Sequence, residues 1–233
     1  MKRVNVEVWS DFVCPWCWIA KRRLESAVAG VAGRIEVVVT PRAYRLAKGM
    51  APQDFKNALY SKFGDATAAD RMMSAVAENG AIEGLAYNFD TMRFGDTSAA
   101  HALVKSIESP EDRQRMIERL SQAATTDGIN IFDRAVLVSL AEEVGVSITS
   151  LDLDSRQLAS EIARDELAAN RIANGVPLFV FNGKSYISGA REVAVFEKAL
   201  LDAAAEMPEP FHEDAGASCS IDGCTNEEAT PHR

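Results

Sequence analysis

Cysteine is scarce in this chain. There are four, Cys14, Cys17, Cys219 and Cys224, and they fall into two close pairs. That count excludes a small secreted scaffold stapled by disulfides. Only three histidines occur, and His101 alone lies inside the part patterned for folding. Positive charge is not in excess. Against 34 acidic residues stand 25 basic ones, a net charge of −9, which argues against nucleic acid or an anionic membrane as a partner. No apolar run approaches the ~20 residues of a membrane-spanning helix. Met1-Lys2-Arg3 leads straight into a strand pattern, without the apolar stretch and small-residue cleavage site of a secretory signal. A cytoplasmic protein is expected. Internal repeats and low-complexity tracts are also missing. What remains is an ordinary globular composition, 47% hydrophobic and 25% charged, in 233 residues, enough for a sizeable core.

The organising stretch is Asp11-Phe12-Val13-Cys14-Pro15-Trp16-Cys17-Trp18. Before it, Val4, Val6 and Val8 alternate with Asn5 and Glu7, which reads as a strand. After it, Ile19 to Val28 contains neither proline nor glycine and reads as a helix. A C-x-x-C at a strand-to-helix junction puts Cys14 near unpaired backbone N–H groups and the positive end of the helix dipole. Both favour a thiolate over a thiol. Pro15 suits the first helical turn, where its missing N–H costs nothing. The pair therefore reads as a redox-active dithiol, with half of a zinc site or two buried core cysteines as the alternatives.

Further along, Ile35 to Thr40 reads as a second strand that Pro41 ends, completing a βαβ unit with parallel strands. From about residue 50 to 174 the pattern is helical, with no convincing strand. Helices are expected over Gln53 to Phe63, Ala66 to Asn79 with Gly80 as C-cap, Ser98 to Glu108, Glu111 to Thr126, Asp133 to Val144 and Ser155 to Asn174. In the last, Leu158, Ile162, Leu167 and Ile172 are spaced for one buried face. Val146 to Leu153 reads as a short extended connection. Leu178 to Phe181 and Lys184 to Ser188 flank Asn182-Gly183, a strong hairpin turn, and Glu192 to Ala205 reads as a final helix. Beyond Glu206 a poorly ordered tail is expected.

These residues resemble the DsbA family of thioredoxin-fold proteins, and within it the FrnE-like branch. The resemblance rests on Ser10 to Trp18, on Gly175-Val176-Pro177-Leu178-Phe179-Val180, and on Asn182-Gly183-Lys184 with Ile187-Ser188-Gly189-Ala190. It extends over nearly the whole chain. It implies an α/β thioredoxin fold, βαβ followed by ββα, interrupted by a large all-helical insertion. The thioredoxin-fold domain would be residues 1–48 and 175–206, the insertion 49–174, and 207–233 a tail carrying the second cysteine pair. It also implies that Pro177 is cis and packs against the active site, with Val176 offering backbone groups to a substrate strand.

The activity so implied is thiol–disulfide exchange on protein disulfides, as oxidoreductase or isomerase. Cys14 is the expected nucleophile, being the more exposed, and Cys17 the more buried resolving thiol. Trp16, between them, is a candidate apolar contact for substrate, while Trp9 reads as core and Trp18 as either. His101 reads as a packed helix residue. Cys219 and Cys224 are candidates for an accessory redox pair. About thirteen residues separate Glu206 from Cys219, and at ~3.3 Å each the tail spans about 43 Å, enough to reach Cys14. No cofactor is expected beyond the dithiol, with glutathione as candidate electron partner; protein thiols and disulfides are the expected partners. Two readings compete. One is a glutathione-dependent isomerase or transferase of the hydroxychromene-carboxylate isomerase or kappa type, whose members characteristically carry serine where Cys14 stands. The other is a zinc or copper site built from all four cysteines.

Overall fold

The structure, a computed structural model, describes residues 1–146 and 152–206, with the backbone of 219–220 and 223–224. In chain order its elements are β1 (Lys2–Ser10), α1 (Pro15–Gly30), β2 (Ile35–Ala43), β3 (Gln53–Asp54), α2 (Phe55–Phe63), α3 (Ala66–Ile82), β4 (Arg93–Phe94), α4 (Ser98–Ser106), α5 (Pro110–Gln122), α6 (Arg134–Glu143), α7 (Arg156–Asn170), β5 (Leu178–Phe181), β6 (Ser185–Ser188), α8 (Val193–Ala205), β7 (Cys219–Ser220) and β8 (Gly223–Cys224). A single π turn, Ala123–Asp127, follows α5.

The central sheet has the order β2-β1-β5-β6. β1 and β2 are parallel, from Lys2 opposite Ile35 to Ser10 opposite Ala43, and β5 and β6 run antiparallel to their neighbours. The alternation along β1 explains the two layers that cover it. Val4 and Val6 face α1 and α8, packing with Phe179, Phe181, Leu24, Phe196 and Leu200. Trp9 faces the other way, with Leu178 and Val180, against Ala169 of α7. Thus α7, sequentially part of the insertion, supplies the second cover of the sheet. Asn182 and Gly183 take φ 50° and 69°, the positive values of a type I′ turn, closed by the Lys184 N–H donating to the Phe181 carbonyl (3.0 Å); with Phe181 paired to Ser185, three residues and not two separate the strands.

Four helices of the insertion, α2, α3, α5 and α6, are started by side-chain caps. Asp54, Asp65, Ser109 and Asp133 accept hydrogen bonds from the backbone N–H of Asn57, Thr67, Asp112 and Ala135. Their core joins Leu103, Met116, Leu120, Ile131 and Leu137 to Phe12 and Val13. The loop that carries Cys14 is therefore plugged into the helical layer.

Several boundaries differ from the sequence reading. β2 continues through Pro41 to Ala43, because it is an edge strand and pairs with β1 alone. The insertion does contain strands, the two-residue β3–β4 ladder. α3 runs through Gly80 to Ile82, so Gly80 is an interior residue and not a cap. α5 passes into the π turn, which Gly128 closes at φ 69°. α7 ends at Asn170, short of the expected Asn174; its buried face is Ile162, Asp165, Glu166 and Ala169, whereas Leu167 and, beyond the helix, Ile172 are exposed. Two carboxylates are buried there because each is paired. Asp165 accepts from Lys105 Nζ (2.6 Å) and the Ala43 N–H (3.0 Å), and Glu166 from Arg45 Nε (2.5 Å). Apolar periodicity cannot register such a face. Of the extended connection expected over Val146 to Leu153, residues 147–151 lie outside the described residues, as does the tail beyond Glu206 apart from β7 and β8.

Candidate active site

The dithiol is positioned by the β1-to-α1 turn. The Cys14 N–H donates to the Asp11 carbonyl (3.1 Å), and the Cys17 N–H donates to the Cys14 carbonyl (3.0 Å). Cys14 is the N-cap of α1, with extended backbone at φ −97° and ψ 106°, and no side-chain cap competes for the helix N-terminus. Cys14 thus stands at the end of the helix where backbone N–H groups are free, and Pro15 opens the first turn.

The second wall comes from the loop before β5. Cys14 Sγ lies 3.9 Å from the Val176 carbonyl oxygen, and the Val176–Pro177 peptide bond is cis. Residues 162 positions apart in sequence thus meet at one sulfur.

The two thiols differ in environment, not in gross exposure. Cys14 is 7% exposed and Cys17 6%, so the expected difference, Cys14 the more exposed and Cys17 the more buried, is only one per cent for the residues as wholes. Both are free thiols. Burial pushes the Cys17 thiol well above the ordinary cysteine value. The hydrogen bond with Cys14 and the charge on Cys14 act in the same direction, a backbone hydrogen bond from Asp11 opposes them, and the Asp11 charge adds to the rise. Cys17 is therefore held protonated, as a donor toward Cys14.

A polar network lies behind the pair. Asp11 is 2% exposed; its carboxylate accepts from the Thr97 hydroxyl (2.8 Å) and the Leu46 N–H (2.7 Å). His101 Nε2 stands 3.7 Å from the same carboxylate and 3.1 Å from the Tyr44 carbonyl, while its ring packs on Phe12 with centroids 4.7 Å apart. His101 thus sits at the edge of this network without reaching the sulfurs.

The tryptophans separate cleanly. Trp9 is buried in the core and donates to the Asp165 carbonyl (2.8 Å). Trp18 is buried beside Leu85 and donates to Glu118 (3.1 Å), tying α1 to α5. Trp16 is only partly buried, at the surface next to the dithiol. A cavity of about 250 Å³ opens between β1, β2, α1 and α5, with Cys17 and Asp11 in its wall.

The contributions of Thr97, Tyr44 and Tyr87 escaped sequence reading, since none sits in a motif and each reaches the site only through folding. Tyr87 donates its hydroxyl to the Pro15 carbonyl (2.9 Å), from 72 residues away. Cys219 lies opposite Cys224 in the β7–β8 ladder. Directly opposed residues of an antiparallel pair have Cα separations that a disulfide can span. Among the described residues, no group of three or more histidine, cysteine or acidic side chains is placed to hold a metal, and no helix is long and apolar enough to cross a membrane.

A dithiol at a helix N-terminus, facing a cis-proline loop on a β2-β1-β5-β6 sheet, defines a thioredoxin-fold protein with a helical insertion. The chain belongs to the DSBA-like thioredoxin domain family, whose pattern it matches over residues 5–201. It is 26% identical over 204 residues to YwbO of Bacillus subtilis, an uncharacterised protein, covering 85% of this chain and 96% of that one. Its structure is similar to that of a probable DsbA oxidoreductase from Streptomyces coelicolor, at 29% identity and a TM-score of 0.79, covering 97% of this chain and 100% of the other. A 2-hydroxychromene-2-carboxylate isomerase shares the fold at 15% identity and a TM-score of 0.63, over 85% of this chain and 95% of that one. Family and fold together make the protein an oxidoreductase-type enzyme of the DsbA class.

Proposed function

We propose that the protein exchanges disulfides with protein substrates through Cys14 and Cys17, and that it belongs to the FrnE-like branch. The observation that carries this reading is Cys14 Sγ, at the N-terminus of α1 and 3.9 Å from the Val176 carbonyl, with a protonated Cys17 as its neighbour.

In the reducing direction the Cys14 thiolate attacks one sulfur of a substrate disulfide. A mixed disulfide forms, and the other substrate sulfur leaves as a thiolate and takes a proton. Cys17 then gives up its proton and attacks Cys14 Sγ, which releases the second substrate thiol and leaves the Cys14–Cys17 disulfide. Oxidation of a substrate is the reverse sequence. Val176 and Pro177 line the groove in which an extended substrate backbone runs past Cys14, and Trp16 supplies an apolar contact at its edge. Glutathione is the proposed electron partner, two molecules restoring the dithiol as one glutathione disulfide forms, in a cytoplasmic protein. The Cys219–Cys224 pair passes electrons to or from Cys14.

The glutathione-dependent isomerase reading takes second place. It needs one small hydroxyl or thiol group at position 14 and has no use for a resolving thiol, yet this chain carries both cysteines at the helix start.

The test is insulin reduction and oxidative refolding of a reduced substrate by wild type and three variants. Cys14→Ser is expected to lose both activities. Cys17→Ser is expected to accumulate a mixed disulfide with substrate on Cys14, visible as a mass shift that dithiothreitol reverses. A wild type without either activity, or a Cys14→Ser variant as active as wild type, would sink the reading. Cys219→Ser with Cys224→Ser is expected to slow turnover with glutathione, and unchanged rates would remove the tail pair from the mechanism.

A further inference from the structure

Tyr87 belongs to the helical insertion, yet its hydroxyl donates to the carbonyl of Pro15, one of the two residues between the cysteines. Three independent features hold it there. Its ring stands edge-on to Trp18, with centroids 6.0 Å apart, and stacks on Phe89 at 5.9 Å and 9°; Phe89 in turn stacks on Phe55 at 6.0 Å. An aromatic column therefore runs from the redox helix into α2. Gly80, in the interior of α3, lies under the Tyr87 ring so closely that a Cβ there would collide with it. The loop that carries Tyr87 is pinned on both sides by the π turn. The Thr126 hydroxyl donates to the Ala86 carbonyl (2.6 Å), and the Asn88 N–H donates to the Thr125 carbonyl (2.8 Å). The π turn places two adjacent residues against the backbone on either side of Tyr87.

We infer that Tyr87 is a positioning residue of the dithiol, which sets the balance between its reduced and oxidised forms by hydrogen bonding the Pro15 carbonyl. This rests on the dithiol reading above. The Pro15 carbonyl oxygen is the negative end of a dipole located in the turn that joins the two sulfurs. A hydrogen bond from a neutral phenol to that oxygen polarises the Pro15–Trp16 peptide, whose N–H is one of the unpaired donors at the helix N-terminus, and so favours a thiolate on Cys14. The phenol stays neutral, because burial first, and then the charge on Cys14, hold its ionisation well above the ordinary tyrosine value. The same hydrogen bond fixes the first turn of α1, whose geometry sets the distance over which Cys14 and Cys17 close. Removing the hydroxyl therefore weakens the reduced form more than the disulfide, in which no thiolate remains.

The experiment measures the equilibrium of the full chain with glutathione, in which the protein dithiol and one glutathione disulfide give the protein disulfide and two glutathione thiols. For Tyr87→Phe the equilibrium is expected to shift toward the protein disulfide by about three- to tenfold, tenfold being about 30 mV for this two-electron couple. The rate at which iodoacetamide alkylates Cys14 of the reduced protein should fall by a similar factor in the same variant. Gly80→Ala, which keeps the hydroxyl but displaces the ring, should shift the equilibrium in the same direction. Tyr60→Phe removes a hydroxyl of the same helical layer that bonds exposed Asp70 (3.0 Å), and should leave the equilibrium unchanged. A purely structural role would lower the melting temperature of Tyr87→Phe and leave both redox readouts within twofold of wild type. That result would overturn the inference alone. A wild type that forms no Cys14–Cys17 disulfide with glutathione disulfide would overturn the dithiol reading itself.

Discussion

Arg23 is the residue by which α1 is fastened to the helical layer, and its replacement by methionine is a sharp test of the architecture. Its side chain is 3% exposed. Nε donates to Glu83 (2.8 Å), one terminal nitrogen to Asn79 (2.8 Å), and the other to the Ala190 carbonyl (3.1 Å), with Glu192 at 3.3 Å. One guanidinium thus ties α1 to the end of α3 and to the segment after β6. Methionine keeps much of the volume but leaves the Glu83 carboxylate, itself 12% exposed, without its cation. Breaking a buried pair on one side costs about 3–5 kcal/mol. Residual access of water to Glu83 places this case near the lower figure. For a chain of this size each kcal/mol moves the melting temperature by about 2–4 °C, so Arg23→Met should melt about 6–12 °C below wild type in calorimetry. Adding Glu83→Gln removes the stranded charge and should recover at least half of that loss, since replacing both partners costs far less than removing one. A single variant within 2 °C of wild type, or a double variant no more stable than the single, would refute the claim that this pair carries the junction.

Other outcomes follow from the same geometry. The Cys17 thiol is raised in the folded protein, so the folded state keeps a proton that the unfolded state loses above about pH 8.5. That contribution to stability is complete below the unfolded value and is lost as pH rises toward the folded one. The urea midpoint of the reduced protein should therefore fall between about pH 8 and 10, and a Cys17→Ala variant should show a smaller fall; equal slopes would contradict the assignment. Thr97→Val removes the hydroxyl that donates to buried Asp11 and should cost about 1–3 kcal/mol in urea titrations, whereas a loss below 0.5 kcal/mol would mean that Asp11 finds another donor.

The parts that could be read directly were those set by neighbours in the chain. Alternating valines made β1, the apolar run Leu178 to Phe181 made β5, and Asn182-Gly183 turned the hairpin, since each depends on local dihedral preference and on a period of two. Where burial depended on pairing, local pattern misled. Leu167 was expected inside α7 and is exposed, while Asp165 and Glu166 are inside because Lys105, Arg42 and Arg45 come from other elements to meet them. Pro41 was expected to end β2, but an edge strand has no second ladder for it to interrupt.

The site divides in the same way. Cys14, Pro15 and Cys17 lie within four residues and a helix begins at Pro15, so the placement of a C-x-x-C pair at a helix N-terminus follows from eight consecutive residues. Which thiol keeps its proton is a different matter. Cys14 and Cys17 are almost equally buried, and their inequality comes from desolvation and from charges on Cys14 and Asp11 that act through space. The Val176 carbonyl beside Cys14 Sγ, the Thr97 hydroxyl on Asp11 and the Tyr87 hydroxyl on Pro15 arrive from 162, 86 and 72 residues away. Covalent neighbours set the two thiols side by side at the start of α1. Packing chose their surroundings, because electrostatic and hydrogen-bonding energies depend on distance in space and not on distance along the chain.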